Sequence, residues 1–148
     1  MHQSLTIGAF LAELADMPLC FIVDDHGDTR EGFAEYLRDW GFEVRTASDA
    51  TELHTLLATA TPAAILMDVH MPRVDGWTLT REIKENPRTR EVRVVVVSAS
   101  VRAEDRLAAE QAGADAFIAK PCDPQSIVTE LTRLLTYDTP DQVKTSSR

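Results

Sequence analysis

Short apolar runs alternate along this chain with stretches in which apolar positions recur every three or four residues, the pattern of strands alternating with amphipathic helices. The spacing predicts strands over 19–24, 42–47, 63–68, 92–97 and 114–119, each followed by a helix. After the first strand, Phe33, Tyr36, Leu37 and Trp40 fall at i, i+3, i+4 and i+7, and Gly41 stops the helix they define. Asp49 with Glu52 resembles a capping box ahead of Leu53, Leu56 and Leu57. The third helix, 75–86, ends before Pro87, which disfavours helical geometry in its predecessor. An Ala-rich fourth helix over 102–112, closed by Gly113, has a poor apolar stripe and is expected to be loosely held. Asp123 caps the last helix with Pro124 at its first position, and Ile127, Val128, Leu131, Leu134 and Leu135 give it an apolar face. Val92 to Val97 lacks polar alternation, as expected of a parallel strand covered on both faces. Five such βα repeats predict an α/β fold around a parallel sheet.

In an open parallel sheet, ligands bind beyond the carboxyl ends of the strands, where the strand order reverses. The polar residues that stand out lie at those ends: Asp24 and Asp25 after the first strand, Asp68 at the end of the third, Ser98 after the fourth and Lys120-Pro121 after the fifth. Any one of the acids alone reads equally as a turn or cap residue. Together they place three carboxylates beside one ammonium, a net charge of −3 + 1 = −2 in one mouth. Like charges that close disfavour ionisation, so either protons are retained or a divalent cation is bound. Carboxylate and carbonyl oxygens suit Mg²⁺.

Composition narrows the classes. A chain of 148 residues suits one domain with its own core, and 44% hydrophobic with 26% charged residues is not a disordered composition. No apolar stretch approaches the roughly 20 residues that span a bilayer. The apolar patch from Ile7 to Leu14 carries Glu13 and is followed by Asp16, with no basic region before it, so it does not read as a signal peptide and a cytoplasmic location is expected. Cys20 and Cys122 stand alone, without metal-ligand spacing, and are expected to be reduced structural thiols. The net charge of −9 argues against a nucleic-acid surface. Residues 1–75 carry that excess, with 13 acids and 4 bases, while 76–148 hold 11 of each.

The strings Phe21-Ile22-Val23-Asp24-Asp25, Met67-Asp68-Val69-His70-Met71-Pro72-Arg73-Val74-Asp75-Gly76, Val97-Ser98-Ala99 and Phe117-Ile118-Ala119-Lys120-Pro121 together resemble the receiver domain of two-component response regulators, over about residues 19–136. The resemblance implies a doubly wound, flavodoxin-like sheet of order 2-1-3-4-5. It implies that Asp68 takes a phosphoryl group from a histidine kinase or histidine phosphotransfer protein. Asp25, Asp68 and the backbone carbonyl of His70 would then ligate Mg²⁺, with Asp24 helping directly or through water. Lys120 and the Ser98 hydroxyl would bind phosphate oxygens, Ser98 and Phe117 would form the switch, and Lys120-Pro121 would be a cis peptide. Phe117 reads equally as a core residue. His70 departs from the commoner small or amide residues two places after the phosphoacceptor. Its side chain is expected to point to solvent, the alternative being that it tunes hydrolysis together with Ser100.

The expected domain plan is an extension over 1–17, the receiver over 18–137 and a polar tail over 138–148. Ser4 could cap a helix bearing Ile7, Phe10, Leu11 and Leu14, which either packs on the domain or forms a homodimer. The expectation is a stand-alone signalling phosphoacceptor, not a turnover enzyme, that acts on a downstream protein target without direct nucleic-acid contact or membrane insertion. The alternatives are an excised receiver of a transcription regulator or hybrid kinase, a non-phosphorylated pseudo-receiver scaffold, and a haloacid-dehalogenase-like hydrolase. The last would carry its nucleophile after the first strand in an Asp-x-Asp pattern, which is absent here.

Overall fold

The computed structural model describes residues 17–71, 74–99 and 102–137. The expectations for the amino-terminal helix (Ser4, Ile7, Phe10, Leu11, Leu14), for Ser100 and for the tail lie outside them. Five strands, β1 (Leu19–Val23), β2 (Glu43–Ala47), β3 (Ala64–Asp68), β6 (Arg93–Ser98) and β7 (Ala116–Ala119), form one parallel sheet of order β2-β1-β3-β6-β7. Counting only these strands, the order is the expected 2-1-3-4-5. Two further strands, β4 (His70–Met71) and β5 (Val74–Asp75), pair antiparallel as a separate ribbon that the sequence pattern does not announce, because two-residue strands carry no periodicity.

The helices are α1 (Gly27–Asp39), α2 (Ala50–Thr59), α3 (Gly76–Glu85), α4 (Ala103–Ala112) and α5 (Pro124–Tyr137). Their limits follow local chemistry. Past the end of α1, Gly41 takes a φ of +101°, and the Phe42 N–H closes back onto the Leu37 carbonyl, a left-handed stop that glycine adopts without penalty. Asp49 accepts from the Glu52 N–H at 2.8 Å, but the Glu52 carboxylate reaches the Ser48 N–H and hydroxyl rather than closing the box on Asp49. Asp75 caps α3 through the Trp77 N–H, and Asp123 accepts from the Gln125 N–H ahead of α5.

Period-two alternation divides the strands between two cores. Cys20, Ile22, Leu66, Val95 and Val97 face α1 and α5 with Leu37, Ile127 and Leu131. Phe21, Val23, Ile65, Met67, Val94 and Val96 face the opposite way, toward Leu53 of α2 and Leu79 and Ile83 of α3. With both faces covered, the sheet offers a ligand only its strand ends. Helix α4 buries just Ala109 and Ala112 and leaves Leu107 exposed, so little apolar area holds it. Asp115, which the sequence pattern did not single out, anchors the β6–β7 edge: it accepts from Lys84 Nζ at 3.0 Å, the Arg93 guanidinium at 2.9 Å and the Val94 N–H at 2.8 Å.

Gly76 fixes the loop that follows Asp68. A Cβ there would lie 2.5 Å from Val69 Cα, so α3 can begin this close to the loop only without a side chain. Gly76→Ala is expected to cost about 2 kcal/mol or more, because the obstacle is backbone, and urea denaturation measures it. Burial pushes the Cys20 thiol up to about 12 from 9.0. The native thiol stays neutral while the unfolded one ionises, so this contribution to stability is complete below pH 9 and is lost as pH rises toward 12. A stability series over that range should therefore fall more steeply for the wild type than for Cys20→Ala, by about 1.4 kcal/mol per pH unit.

Candidate functional site

The carboxyl ends of β1, β3, β6 and β7 meet at one mouth. Asp24 is buried and held on both oxygens: Oδ1 accepts from the His26 N–H at 2.8 Å and Oδ2 from Lys120 Nζ at 3.2 Å. Its backbone is fixed as well, since Arg30 donates to its carbonyl at 2.8 Å and its own N–H meets the Ala47 carbonyl at 3.1 Å. Asp68, 5% exposed, lies across from it. The His70 N–H donates to Asp68 Oδ1 at 3.0 Å, whereas Oδ2 faces Lys120 Nζ at 3.9 Å. The two oxygens of Asp68 are thus unlike, one taken by backbone and one turned toward the Lys120 ammonium, which also reaches Asp24.

Asp25 differs from both. Its Oδ1 is buried and accepts no hydrogen bond; His26 Nδ1 comes within 3.2 Å but is not aligned to donate. Ligand atoms of Asp24, Asp25, His26 and Asp68 all lie within 4.8 Å of one another. An orphaned buried carboxylate oxygen beside two further carboxylates is costly unless a cation joins it. The oxygen-rich donor set fits Mg²⁺. His26 was not picked out from sequence; its place immediately after the acid pair was the available signal. Burial pushes the Asp68 carboxyl above the usual carboxylate range, with the charges of Asp24 and Asp25 adding to the shift and the His70 N–H and Lys120 opposing it.

Ser98 is fully buried at the end of β6, and its Oγ lies 2.9 Å from His70 Nε2. This corrects the expectation that the His70 side chain merely points to solvent. His70 as a whole residue is exposed, yet the β4–β5 ribbon carries its ring over the end of β6, a placement no local spacing encodes. Phe117 lies on β7 partly buried against the α2–α3 core, with the Arg106 guanidinium of α4 at 4.9 Å from its ring centre, within cation–π range. The Lys120–Pro121 peptide bond is cis. Beside Lys120, a cleft of about 510 Å³ is lined by Thr29, Phe33, Ala99, Pro121 and Cys122.

A parallel five-stranded sheet with this acidic mouth defines a class, and comparison with known proteins gives the family. The response regulator receiver domain model matches residues 20–132, and the chain belongs to that family. Response regulator Rre1 of Synechocystis sp. is 36% identical over 115 residues, covering 77% of this chain and 50% of Rre1. An uncharacterised 14.6 kDa protein of Leptolyngbya boryana is 35% identical over 115 residues, 78% of this chain and 87% of that protein. The chemotaxis protein CheY4 of Vibrio cholerae superposes with a TM-score of 0.76 at 24% identity, over 80% of this chain and 98% of CheY4, a likeness of fold. The chain spans about half the length of Rre1. Receiver domains are signalling phosphoacceptors that bind Mg²⁺ in an acidic pocket and interact with histidine kinases and downstream targets. Among the described residues, no helix is long and apolar enough to cross a membrane.

If repulsion among the acids destabilises the metal-free protein, Asp25→Asn should raise its melting temperature by roughly a few degrees in chelator. Millimolar Mg²⁺ should raise the melting temperature of the wild type and do so far less for the variant. Differential scanning fluorimetry in chelator and in Mg²⁺ reads both effects.

Proposed function

We propose that Asp68 accepts a phosphoryl group from a phosphohistidine of a kinase or phosphotransfer protein, and that the chain signals through the altered protein-binding surface that results. The observation that carries this reading is the asymmetry of Asp68: Oδ1 is bound by the His70 N–H, while Oδ2 faces Lys120 in the same cluster as Asp24 and Asp25. Oδ2 attacks phosphorus, the new O–P bond forms as the N–P bond breaks, and the leaving imidazole keeps the electron pair and takes a proton from solvent. Asp25, Asp68 and the His70 carbonyl would hold Mg²⁺, with Asp24 directly or through water. When bound, the ion offsets the charge of the transferring group. Lys120 turns from Asp24 to a phosphate oxygen, and the Ser98 hydroxyl donates to another.

Inward movement of Ser98 opens space for Phe117, whose contact with Arg106 links it to the thinly held α4, so the α4–β7 face is the proposed output surface. The reading assigns a downstream protein target, a cytoplasmic location and no nucleic-acid contact by this domain. Incubation with Mg²⁺ and a small phosphoryl donor such as acetyl phosphate should add the mass of one phosphoryl group, as read by intact mass spectrometry. Asp68→Asn should add none, and Lys120→Ala should lower the steady-state yield by about tenfold or more.

A further inference from the structure

His70 touches the site twice. Its backbone N–H binds Asp68 Oδ1 at 3.0 Å, and its ring Nε2 lies 2.9 Å from Ser98 Oγ, at a hydroxyl with no exposure to solvent. The two contacts leave opposite ends of one residue, on a ribbon of two residue pairs that stands outside the main sheet. A serine hydroxyl has one proton and two lone pairs. If Nε2 accepts that proton, the proton is withheld from any phosphate; if Nε2 donates, the oxygen is tied to the ring's position. In either tautomer, Oγ cannot move toward a group on Asp68 without breaking or dragging the bond to His70.

We propose that His70 is a latch on the switch: in the unphosphorylated chain its ring holds the Ser98 hydroxyl, and phosphorylation of Asp68 must take that hydroxyl from it. The inference rests on the phosphoacceptor reading and adds to it a positioning residue that sets how readily the domain switches. Since a ligand's apparent affinity falls with the fraction of molecules competent to bind it, the latch lowers the affinity for a phosphoryl group by the population it withholds. Its loss removes this hold on the Ser98 hydroxyl, so the phosphorylated-like state is reached more easily. The latch also makes Asp68 and Ser98 neighbours through a single residue, 28 positions from Ser98 along the chain.

The test is the apparent affinity for beryllium fluoride with saturating Mg²⁺, a phosphoryl mimic, measured by calorimetry on the full chain. His70→Ala should bind about three- to tenfold more tightly than wild type, the range set by one hydrogen bond. His70→Gln, which can still bond to Ser98, should return toward the wild-type value. In a Ser98→Ala background, itself weaker in binding, adding His70→Ala should change nothing, because the bond is already absent. Equal or weaker binding by His70→Ala, or the same gain with and without Ser98, would overturn the latch while leaving the phosphoacceptor reading intact. Failure of the wild type to bind beryllium fluoride would overturn both.

Discussion

The rest of the structure depends on electrostatic repulsion held in check at one point. Asp24, Asp25 and Asp68 are brought together by the ends of two adjacent strands, and the Lys120 ammonium reaches two of them. A sheet buried on both faces is rigid enough to keep the three acids from separating, and that rigidity makes the mouth useful: it stores an attraction for a divalent cation and for a group whose transfer needs one. Asp24 is the framework member of the set, with both its carboxylate oxygens and its backbone engaged. Asp25 retains a buried oxygen without a donor, and Asp68 presents two oxygens in unlike settings.

The same rigidity explains where change is permitted. Strands β1 and β3 are packed on both sides by large side chains, whereas α4 contributes only Ala109 and Ala112 to the interior. Beyond the fully packed β6, the partly buried β7 and the thinly held α4 form the edge with the least apolar contact. Ser98 and Phe117 lie on that side, and Arg106 ties the aromatic ring to the helix that is held least. Asp115 pins the start of β6 and β7 to α3.

Much of this was legible in the sequence, for a physical reason. Buried parallel strands appear as unbroken apolar runs, and the residue ending each run must lie at the sheet's carboxyl edge, so Asp24, Asp68, Ser98 and Lys120 could be placed before any contact was known. Helix stops at Gly41 and Gly113 and the caps at Asp49 and Asp123 rest on local chemistry and were readable in the same way. Strand limits moved by a residue or two, as at β7, which begins at Ala116 rather than residue 114. What the pattern could not show were contacts between segments far apart in the chain: the ribbon of β4 and β5, the Asp115 anchor, the inclusion of His26 among the acids, and the bond from His70 to Ser98. Each depends on where a loop settles over a strand end, which no period of two or 3.6 residues encodes.

In the proposed function Asp68, and neither neighbouring acid, is the nucleophile of this mouth. Reduction of the phosphorylated protein with borohydride converts an aspartyl phosphate to homoserine, and peptide mass mapping then locates it. Homoserine at position 68 alone is the predicted result; homoserine at 24 or 25, or at none of the three in protein that has gained a phosphoryl group, would contradict it.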